Sequence, residues 1–413
     1  MWRYWQVLPP KGHIGILFGS WYTEPIVQHA LGHEKKHRFA QHLERIRALE
    51  RMLVDEGVVV LKLWFHMTEA GIRARFKALE ADPKTAWRVT ADDWERLSHY
   101  QDLIGVCAQA FRKTNTAQAP WWVIDGSDPA YRALTAGEHL LRALQQATQT
   151  QPVPAHVHAA PTPPAPLDGL SLLDHFDHQR RLDKAHYKDQ LEALQGRLNR
   201  LLRSSAMRQR ALVLVFEGVD AAGKGSTIRR ITQALDARHY RIIPVAAPNE
   251  AERAQPYLWR FWRYLPTWQH TTIFDRSWYG RVLVERVEGF CSEADWTRAY
   301  DEINAFEEQL IEAGTVVVKF WLAITQAEQL RRFESRQETP YKMHKITPED
   351  WRNRDKWPLY ARAVDDMIER TSTDLAPWHI VASDDKLWSR IEVLRLLCEQ
   401  LEAGLEPSSK NGG

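Results

Sequence analysis

Residues 211–227 read ALVLVFEGVDAAGKGST. The apolar run that opens this stretch predicts a buried strand, and a helical pattern follows the glycines. Between the two, the spacing GxxxxGK from Gly218 to Lys224 is typical of a phosphate-binding loop. Glycines let backbone N–H groups surround an anion, and the helix N-terminus and the lysine add positive charge. The alternative is a glycine-rich strand-to-helix turn that binds nothing.

The residues of this loop divide into phosphate ligands and a metal ligand. The positions predicted to bind phosphate are Gly218, Gly223, Gly225 and Ser226. Lys224 supplies the catalytic positive charge. Gly225 stands where ordinary phosphate-loop enzymes have the Ser or Thr that holds magnesium. Ser226 or Thr227 is one substitute, and the carboxylate of Asp220 inside the loop is a better one.

Further apolar runs alternate with long helical patterns and predict more strands. These runs lie at 271–274, 315–322 and 378–382, with a weaker candidate at 241–245. Pro244 assigns that last strand to the edge of a sheet, because proline cannot donate a ladder hydrogen bond. Strands separated by helices of this length indicate a buried parallel sheet built from βαβ units. Leucines at helical spacing within 170–208 predict an amphipathic helix that leads into it.

Two stretches of the chain repeat each other. Trp2–Tyr22 reads WRYWQVLPPKGHIGILFGSWY, and Trp259–Tyr279 reads WRFWRYLPTWQHTTIFDRSWY. The offset from Trp2 to Trp259 is 257 residues, and it persists without a gap as far as Ala119-Pro120-Trp121 and Ala376-Pro377-Trp378. A constant offset over this length predicts two domains of one fold. We therefore expect an α/β protein with tandem P-loop-kinase-like, doubly wound parallel sheets.

The first copy is predicted to be truncated and degenerate. Met1 falls opposite Leu258, so nothing in the first copy corresponds to residues 209–257. Either evolution discarded a nucleotide site there, or the start codon is placed too far downstream. The expected organisation is a non-catalytic domain at 1–147, a proline-rich linker at 148–167, a catalytic domain at 168–403 and a disordered tail at 404–413.

An acid–arginine pair follows the predicted strand at 271–274. In doubly wound sheets, ligands bind at the carboxyl ends of the strands, so Asp275 is expected to face the same crevice as the loop. Its carboxylate can hold Mg²⁺ or orient an acceptor phosphate, and Arg276 and Arg281 can grip phosphate oxygens. The alternative is a helix cap with a surface ion pair.

The first copy serves as an internal control for these residues. Phe18 and Gly19 stand where the second copy has the acid–arginine pair, and Glu24 replaces Arg281. The Ser-Trp-Tyr that follows is kept in both copies. We therefore interpret Ser-Trp-Tyr as scaffold and the charged residues as chemistry.

A third feature is a basic window between the fourth and fifth predicted strands. Gln329–Arg362 holds nine basic and five acidic residues, a net +4 in a chain of net charge +2. A basic helix–loop–helix at this place fits a lid that closes over phosphates. The alternative is a solvated face of mixed charge.

Composition excludes several classes of protein. Apolar and charged fractions of 44% and 26% in 413 residues indicate a globular chain of two or three domains. Because no run of about 18 apolar residues and no basic start followed by an apolar stretch occurs in it, we expect neither a membrane span nor a signal peptide. Near-neutral charge argues against a nucleic-acid coat protein. Cys107, Cys291 and Cys398 lie far apart, as expected in a reducing cytoplasm. His33, His37 and His42 lack a partner that would complete a zinc site.

Five motifs in order carry a family resemblance. They are GVDAAGKG, PYLWRFWRYLP, FDRSWYGR, ETPYKMHKITPEDWRNRDKW and RTSTDLAPW. Together they resemble the polyphosphate kinase 2 family, and more narrowly its tandem-domain polyphosphate:AMP phosphotransferases. The resemblance implies magnesium-dependent transfer of a phosphoryl group from inorganic polyphosphate to AMP, giving ADP. The residues that it implicates are Asp220, Lys224, Asp275, Arg276, Arg281, Arg336, Lys342 and Lys345, with Asp220 and Asp275 as the metal ligands.

Two other functions stay open at this point. An ATP-dependent nucleoside monophosphate kinase would need the same fold and loop. A non-catalytic scaffold that binds polyphosphate or nucleotides would explain the inert first copy. A further hypothesis is that the first copy pairs with the second within one chain, with additional oligomerisation left open.

Overall fold

The structure, a computed structural model, describes residues 2–149, 171–173, 176–340 and 346–406. They form two compact units, Met1–Ala155 with Glu250–Tyr257, and His156–Asn249 with Leu258–Gly413. The short segment 250–257 belongs to the first unit, where the Lys11 N–H donates to the Ala254 carbonyl at 2.7 Å. The predicted linker from 150 onward and the predicted tail from 407 onward lie outside the described residues.

The second unit contains a parallel sheet of five strands. In chain order the strands are β3 Ala211–Glu217, β4 Tyr240–Pro244, β5 Thr271–Asp275, β6 Thr315–Ala323 and β7 Trp378–Ala382. Their order across the sheet is β4-β5-β3-β6-β7. The five predicted strands are therefore confirmed, and the strand that ends at Pro244 lies at the edge as expected.

Helices surround the strands in both units. The helices of the described residues are α1 Trp2–Trp5, α2 Thr23–Ala30, α3 Lys36–Asp55, α4 Glu69–Ala81, α5 Ala91–Ser98, α6 Tyr100–Thr114, α7 Pro129–Gln149, α8 Lys184–Leu202, α9 Lys224–Thr232, α10 Glu250–Arg253, α11 Trp259–Trp262, α12 Val284–Glu288, α13 Glu293–Glu312, α14 Gln326–Gln337, α15 Pro348–Asp355, α16 Trp357–Thr371 and α17 Lys386–Leu405. Short 3₁₀ helices add Ala86–Arg88, Ser205–Gln209 and Trp278–Arg281. Within the described residues, no helix is both long and apolar enough to span a membrane.

The core of the second unit explains why its sequence forms these elements. Every residue of β3 is buried, as the unbroken apolar run predicted. Alternate residues of β3 and β6, such as Leu214 and Phe320, pack with apolar side chains of α8, α9 and α17. Leu198 of α8 is fully buried in that cluster. The predicted amphipathic helix is thus confirmed over 184–202.

The first unit repeats part of this arrangement at the same offset. Its strands β1 Lys62–His66 and β2 Trp121–Asp125 form a parallel pair. The pairing of Lys62 with Trp121 corresponds to that of Lys319 with Trp378, 257 positions further on. Helices α3, α5 and α6 likewise correspond to α13, α15 and α16.

The counterpart of β5 behaves differently. Residues 14–18 form no strand, and Phe18 is fully exposed. In the second unit β5 lies between β3 and β4, and neither has an equivalent in this sequence. Without a neighbouring strand, this segment has no ladder to join.

A buried ion pair is common to both units. Lys319 Nζ lies 2.7 Å from Glu307 Oε2 in the second unit, and Lys62 Nζ lies 2.7 Å from Glu50 Oε2 in the first. Lys319 Nζ also donates to the Tyr279 hydroxyl at 2.8 Å and to the Thr371 carbonyl at 2.7 Å. All three ammonium donors of Lys319 are therefore satisfied, which a buried charge requires.

We predict that Lys319→Ala lowers the free energy of unfolding by about 3–5 kcal/mol, because it leaves the carboxylate of Glu307 buried and unpaired. Urea unfolding followed by circular dichroism measures this loss. The matched control is Arg73→Ala, which removes an exposed i, i+4 pair with Glu69 and should cost less than about 1 kcal/mol. Equal losses in the two variants would contradict the structural role of the buried pair.

Candidate functional site

The loop between β3 and α9 is held in a conformation that few residues adopt. Gly218 has φ +146°, and a Cβ there would lie 2.7 Å from the Leu322 carbonyl oxygen. Gly223 has φ +111° and immediately precedes the first residue of α9. Ala221 has φ +65°, a left-handed conformation that is uncommon outside glycine. The loop therefore makes a tight turn that leads directly into the N-terminus of α9, a place that favours an anion.

Lys224 is the first residue of α9, and its side chain folds back along the loop. Its ammonium group donates to the Gly218 carbonyl at 2.6 Å. Burial and then the charge of Arg276 lower the pKa of Lys224, while the carboxylates of Asp220 and Asp275 oppose that change. An anion bound at the loop would add to that opposition and favour the charged ammonium group.

Asp275 is the last residue of β5, level with Phe216 of β3 and Pro244 of β4. It therefore lies at the carboxyl edge of the sheet, as predicted. Arg276 has φ +64°, and its backbone N–H donates to the Phe216 carbonyl at 3.0 Å. This left-handed turn directs the chain away from the sheet directly after the acid.

The guanidinium group of Arg276 reaches the phosphate loop, because its Nη2 donates to Asp220 Oδ1 at 2.6 Å. Burial would lower the pKa of Arg276, but Asp220, Glu217 and Asp275 together raise it. The arginine stays charged beside the loop.

Glu217 is a buried acid behind the loop. Its side chain is 4% exposed and accepts a hydrogen bond from Ser277 Oγ at 2.8 Å. Burial raises the pKa of Glu217, although Ser277, Lys224 and Arg276 act in the opposite direction. Glu217 thus links the end of β3 to the segment that follows β5.

Arg332 of α14 clamps the loop from the other side. Its Nη1 donates to the carbonyls of Ala221 and Ala222, at 2.8 and 3.1 Å. Its Nη2 donates to the carbonyls of Ser383 and Asp384 after β7, and its Nε donates to Glu328. All five guanidinium donors are therefore used within the protein.

A cleft of about 770 Å³ opens in front of the loop. Its basic lining residues are Lys224, Arg229, Arg230, Arg276, Arg331, Arg332, Arg336, Lys386 and Arg390, and the acid among its described lining residues is Asp275. Burial and then the charge of Arg332 lower the pKa of Lys386, as expected where cations crowd together. Such a cleft attracts a polyanion.

Most of the predicted site residues meet in this cleft. Those that line it are Gly223, Lys224, Gly225, Ser226, Asp275, Arg276 and Arg336. Asp220 accepts a hydrogen bond from Arg276, which lines the cleft. Gly218 directly follows the last residue of β3.

Three predicted residues are not placed in the cleft. Arg281 is absent from the lining, and its Nε lies 2.8 Å from Glu285 Oε2 on α12. That i, i+4 pairing takes the guanidinium group to a neighbouring helix. Lys342 and Lys345 lie outside the described residues.

Sequence analysis missed several basic residues of the cleft. Arg229 and Arg230 follow the loop on α9, and Lys386 and Arg390 stand four positions apart on α17. The i, i+4 spacing was a usable signal, since it places two cations on one helix face. The interior role of Arg332 had no such signal.

The acids of the site fit a divalent cation whose coordination is completed by the phosphates of the substrate. The charges of Asp220, Asp275 and Glu217 each act to raise the pKa of Lys224, so the three carboxylates stand near that lysine. Among the described residues, no three His, Cys, Asp or Glu side chains form a metal-binding group. Magnesium is commonly bound through one or two carboxylates, with substrate phosphates and water filling the other positions. Asp275 lines the basic cleft and Asp220 stands beside it against Arg276, so these two carboxylates fit that description.

A parallel sheet with a glycine-rich loop after its central strand and a basic cleft at its carboxyl edge is typical of an α/β protein that handles phosphate. The family description Polyphosphate kinase 2 matches residues 1–152 and 181–408. A polyphosphate:AMP phosphotransferase of Pseudomonas aeruginosa is 52% identical over 403 residues, which are 97% of this chain and 81% of that protein. One of Acinetobacter johnsonii is 40% identical and covers the same shares of the two chains.

The similarity extends to a solved structure. A crystal structure of a polyphosphate kinase 2 from Pseudomonas aeruginosa matches with a TM-score of 0.85 and 48% identity, over 98% of this chain and 80% of that chain. This chain belongs to the polyphosphate kinase 2 family.

Two glycines of the loop should respond differently to substitution by alanine. Gly218→Ala would force a Cβ against the Leu322 carbonyl, so we expect lower thermal stability and weaker binding of tripolyphosphate. Gly225→Ala meets nothing within 4 Å and should leave thermal stability unchanged. Differential scanning calorimetry and titration calorimetry measure the two effects. A stable Gly218→Ala variant with normal tripolyphosphate binding would show that the loop conformation is not required.

Proposed function

We propose that this protein transfers a phosphoryl group from inorganic polyphosphate to AMP and so produces ADP. The observation that carries the proposal is the cleft itself, where nine basic side chains surround a phosphate loop and the carboxylate of Asp275. The names of the relatives that cover nearly the whole chain supply the polymer and the acceptor.

The two units would have different tasks. The second unit, with the loop, Asp275-Arg276 and the basic residues of α14, would be a catalytic P-loop-kinase-like domain, and the segment from α14 to α16 would form its lid. The first unit would be non-catalytic, because Phe18 and Gly19 replace the acid–arginine pair. The repeated scaffold supports a common fold for the two.

The basic side chains that do not touch the loop would hold the polymer. Arg229 and Arg230 come from α9, Arg331 and Arg336 from α14, and Lys386 and Arg390 from α17. Polyphosphate carries about one charge per unit, and counterion release would drive its binding as it does for nucleic-acid backbones. Cations from three separate helices suit an extended chain better than a single small anion.

The transfer itself would depend on alignment and charge. Loop N–H groups and Lys224 would cradle phosphates at the transfer point, and Arg276 would stabilise the charge that develops on the transferring group. The attacking phosphate oxygen of AMP is already anionic, so Asp275 needs only to orient it and no strong base is required. Asp220 and Asp275 would hold Mg²⁺, which would neutralise phosphate charge when bound.

The direct test is an assay without ATP. Purified protein with polyphosphate, AMP and Mg²⁺ should form ADP, detected by chromatography. Lys224→Ala and Asp275→Ala should each lower turnover by about 10³-fold or more, because both act at the transferring group. Arg238→Ala is the matched control, since that exposed arginine pairs with Asp236 and does not line the cleft.

The same assay separates the rival functions. ADP that appears only when ATP is supplied would indicate a nucleoside monophosphate kinase. Tight polyphosphate binding with no turnover in any combination would indicate a scaffold.

Salt dependence tests the polymer-binding role of α17. The logarithm of the polyphosphate affinity should fall linearly with the logarithm of the salt concentration, by about 0.7 per phosphate contact if polyphosphate behaves like a single-stranded nucleic acid. Lys386→Ala combined with Arg390→Ala should reduce that slope by about 1.4, as the loss of two such contacts implies. Fluorescence anisotropy of labelled polyphosphate across a salt series measures the slope. An unchanged slope in this double variant would remove α17 from the polymer site.

A further inference from the structure

Asp220 is held from three parts of the fold: the turn after β5, α15 and α14. Its Oδ1 accepts from Arg276, and its Oδ2 accepts from Asn353 Nδ2 of α15 at 3.0 Å. The carbonyl of the same residue accepts from Gln329 Nε2 of α14 at 3.1 Å. The orientation of the Asp220 carboxylate is thus fixed by a hydrogen bond to each of its oxygens, although the residue lies in a loop.

The side chain of Asn353 is in turn supported from behind. Its Oδ1 accepts from the Tyr360 hydroxyl at 3.4 Å, and that hydroxyl lies 3.4 Å from Glu288 Oε1. The carboxylate of Glu288 is 4% exposed and pairs with Lys356 at 2.8 Å and with Arg352 at 3.3 Å. The buried acid on α12 therefore anchors α15 through Arg352 and the adjoining Lys356. The single hydroxyl proton of Tyr360 serves either Asn353 or Glu288, and when it is donated to Asn353 Oδ1 it leaves the amide nitrogen facing Asp220.

The first unit shows that helix formation does not need this chain of contacts. Helix α5 corresponds to α15 and begins with the same type of capping box, Thr90 with Asp93. At the offset of 257, however, Arg96 replaces Asn353, Leu103 replaces Tyr360 and Leu31 replaces Glu288. The polar chain is present in the copy that carries Asp275 and Arg276, and absent from the copy that has Phe18 and Gly19 at those positions.

We propose that Asn353 is a positioning residue of the phosphotransfer site. Its amide orients the Asp220 carboxylate and connects α15 to the loop between β3 and α9. The position of α15 relative to that loop is thereby held fixed. The role of Asp220 in chemistry rests on the proposed function, whereas the coupling between Asn353 and Asp220 does not.

Hydrogen exchange of the full chain, without substrates, tests the coupling. Asn353→Ala should raise amide exchange both in 348–355 and in 218–223, by roughly tenfold or more, as expected for the loss of a hydrogen bond to a charged group. Asp220→Ala should raise exchange in 348–355 by a similar factor, and the double variant should add little to either. Glu349→Gln, an exposed change on the same helix, should alter neither segment.

Steady-state kinetics test the positioning role. Asn353→Ala should lower kcat by roughly tenfold to a hundredfold and change the KM for polyphosphate by less than about twofold, because the polymer-binding cations are untouched. Asn353→Asp should be at least as damaging, since it places a second carboxylate against Asp220. An unchanged kcat in Asn353→Ala, or additive exchange effects in the double variant, would overturn the inference.

The two proposals fail in different ways. Coupled exchange in a protein that makes no ADP from polyphosphate would refute the proposed function and leave the contact between Asn353 and Asp220 standing. ADP formation with a normal kcat in Asn353→Ala would refute the positioning role of Asn353 and leave the proposed function standing.

Discussion

The arrangement of the second unit depends on the buried pair of Lys319 and Glu307. A charge removed from water is tolerated only when its hydrogen-bonding capacity is filled, and here Tyr279 and the Thr371 carbonyl complete the shell of the lysine. Glu307 also accepts from the indole N–H of Trp278 at 3.0 Å. Because Trp278 and Tyr279 follow Asp275-Arg276 almost directly, this one network sets where the acid–arginine pair stands relative to β6 and α13.

The first unit separates scaffold from chemistry within a single chain. The same network recurs with Lys62, Glu50, Tyr22 and the Thr114 carbonyl. The contact of the lysine with the tyrosine hydroxyl is longer, at 3.4 Å against 2.8 Å in the second unit. Nothing in that network needs the phosphate loop or the charged residues of the second unit. Selection for a stable interior and selection for a phosphate site can therefore act on different residues of the same fold.

The sequence predicted the strands, the loop and seven of the residues that line the cleft, because these follow from local patterns. An apolar run such as 211–216 and a glycine spacing leave few alternatives, and the repeat indicated charged residues that only the second copy carries. Contacts between distant segments were beyond its reach. The contact of Asn353 with Asp220 joins positions 133 residues apart, and that of Arg332 with the Ala221 carbonyl joins positions 111 apart. Neither leaves a periodic signal.

Arg332 adds positive charge to the cleft but has no N–H group left to bind a ligand. This guanidinium group borders the cleft, yet each N–H is already committed to a backbone carbonyl or to Glu328. Its charge contributes to the field, but it cannot grasp an incoming anion without releasing the main chain it supports. Lysine has three donors and no planar guanidinium group, so it could not make these five hydrogen bonds. An Arg332→Lys exchange, usually regarded as conservative, would therefore remove support from the loop and from the turn after β7.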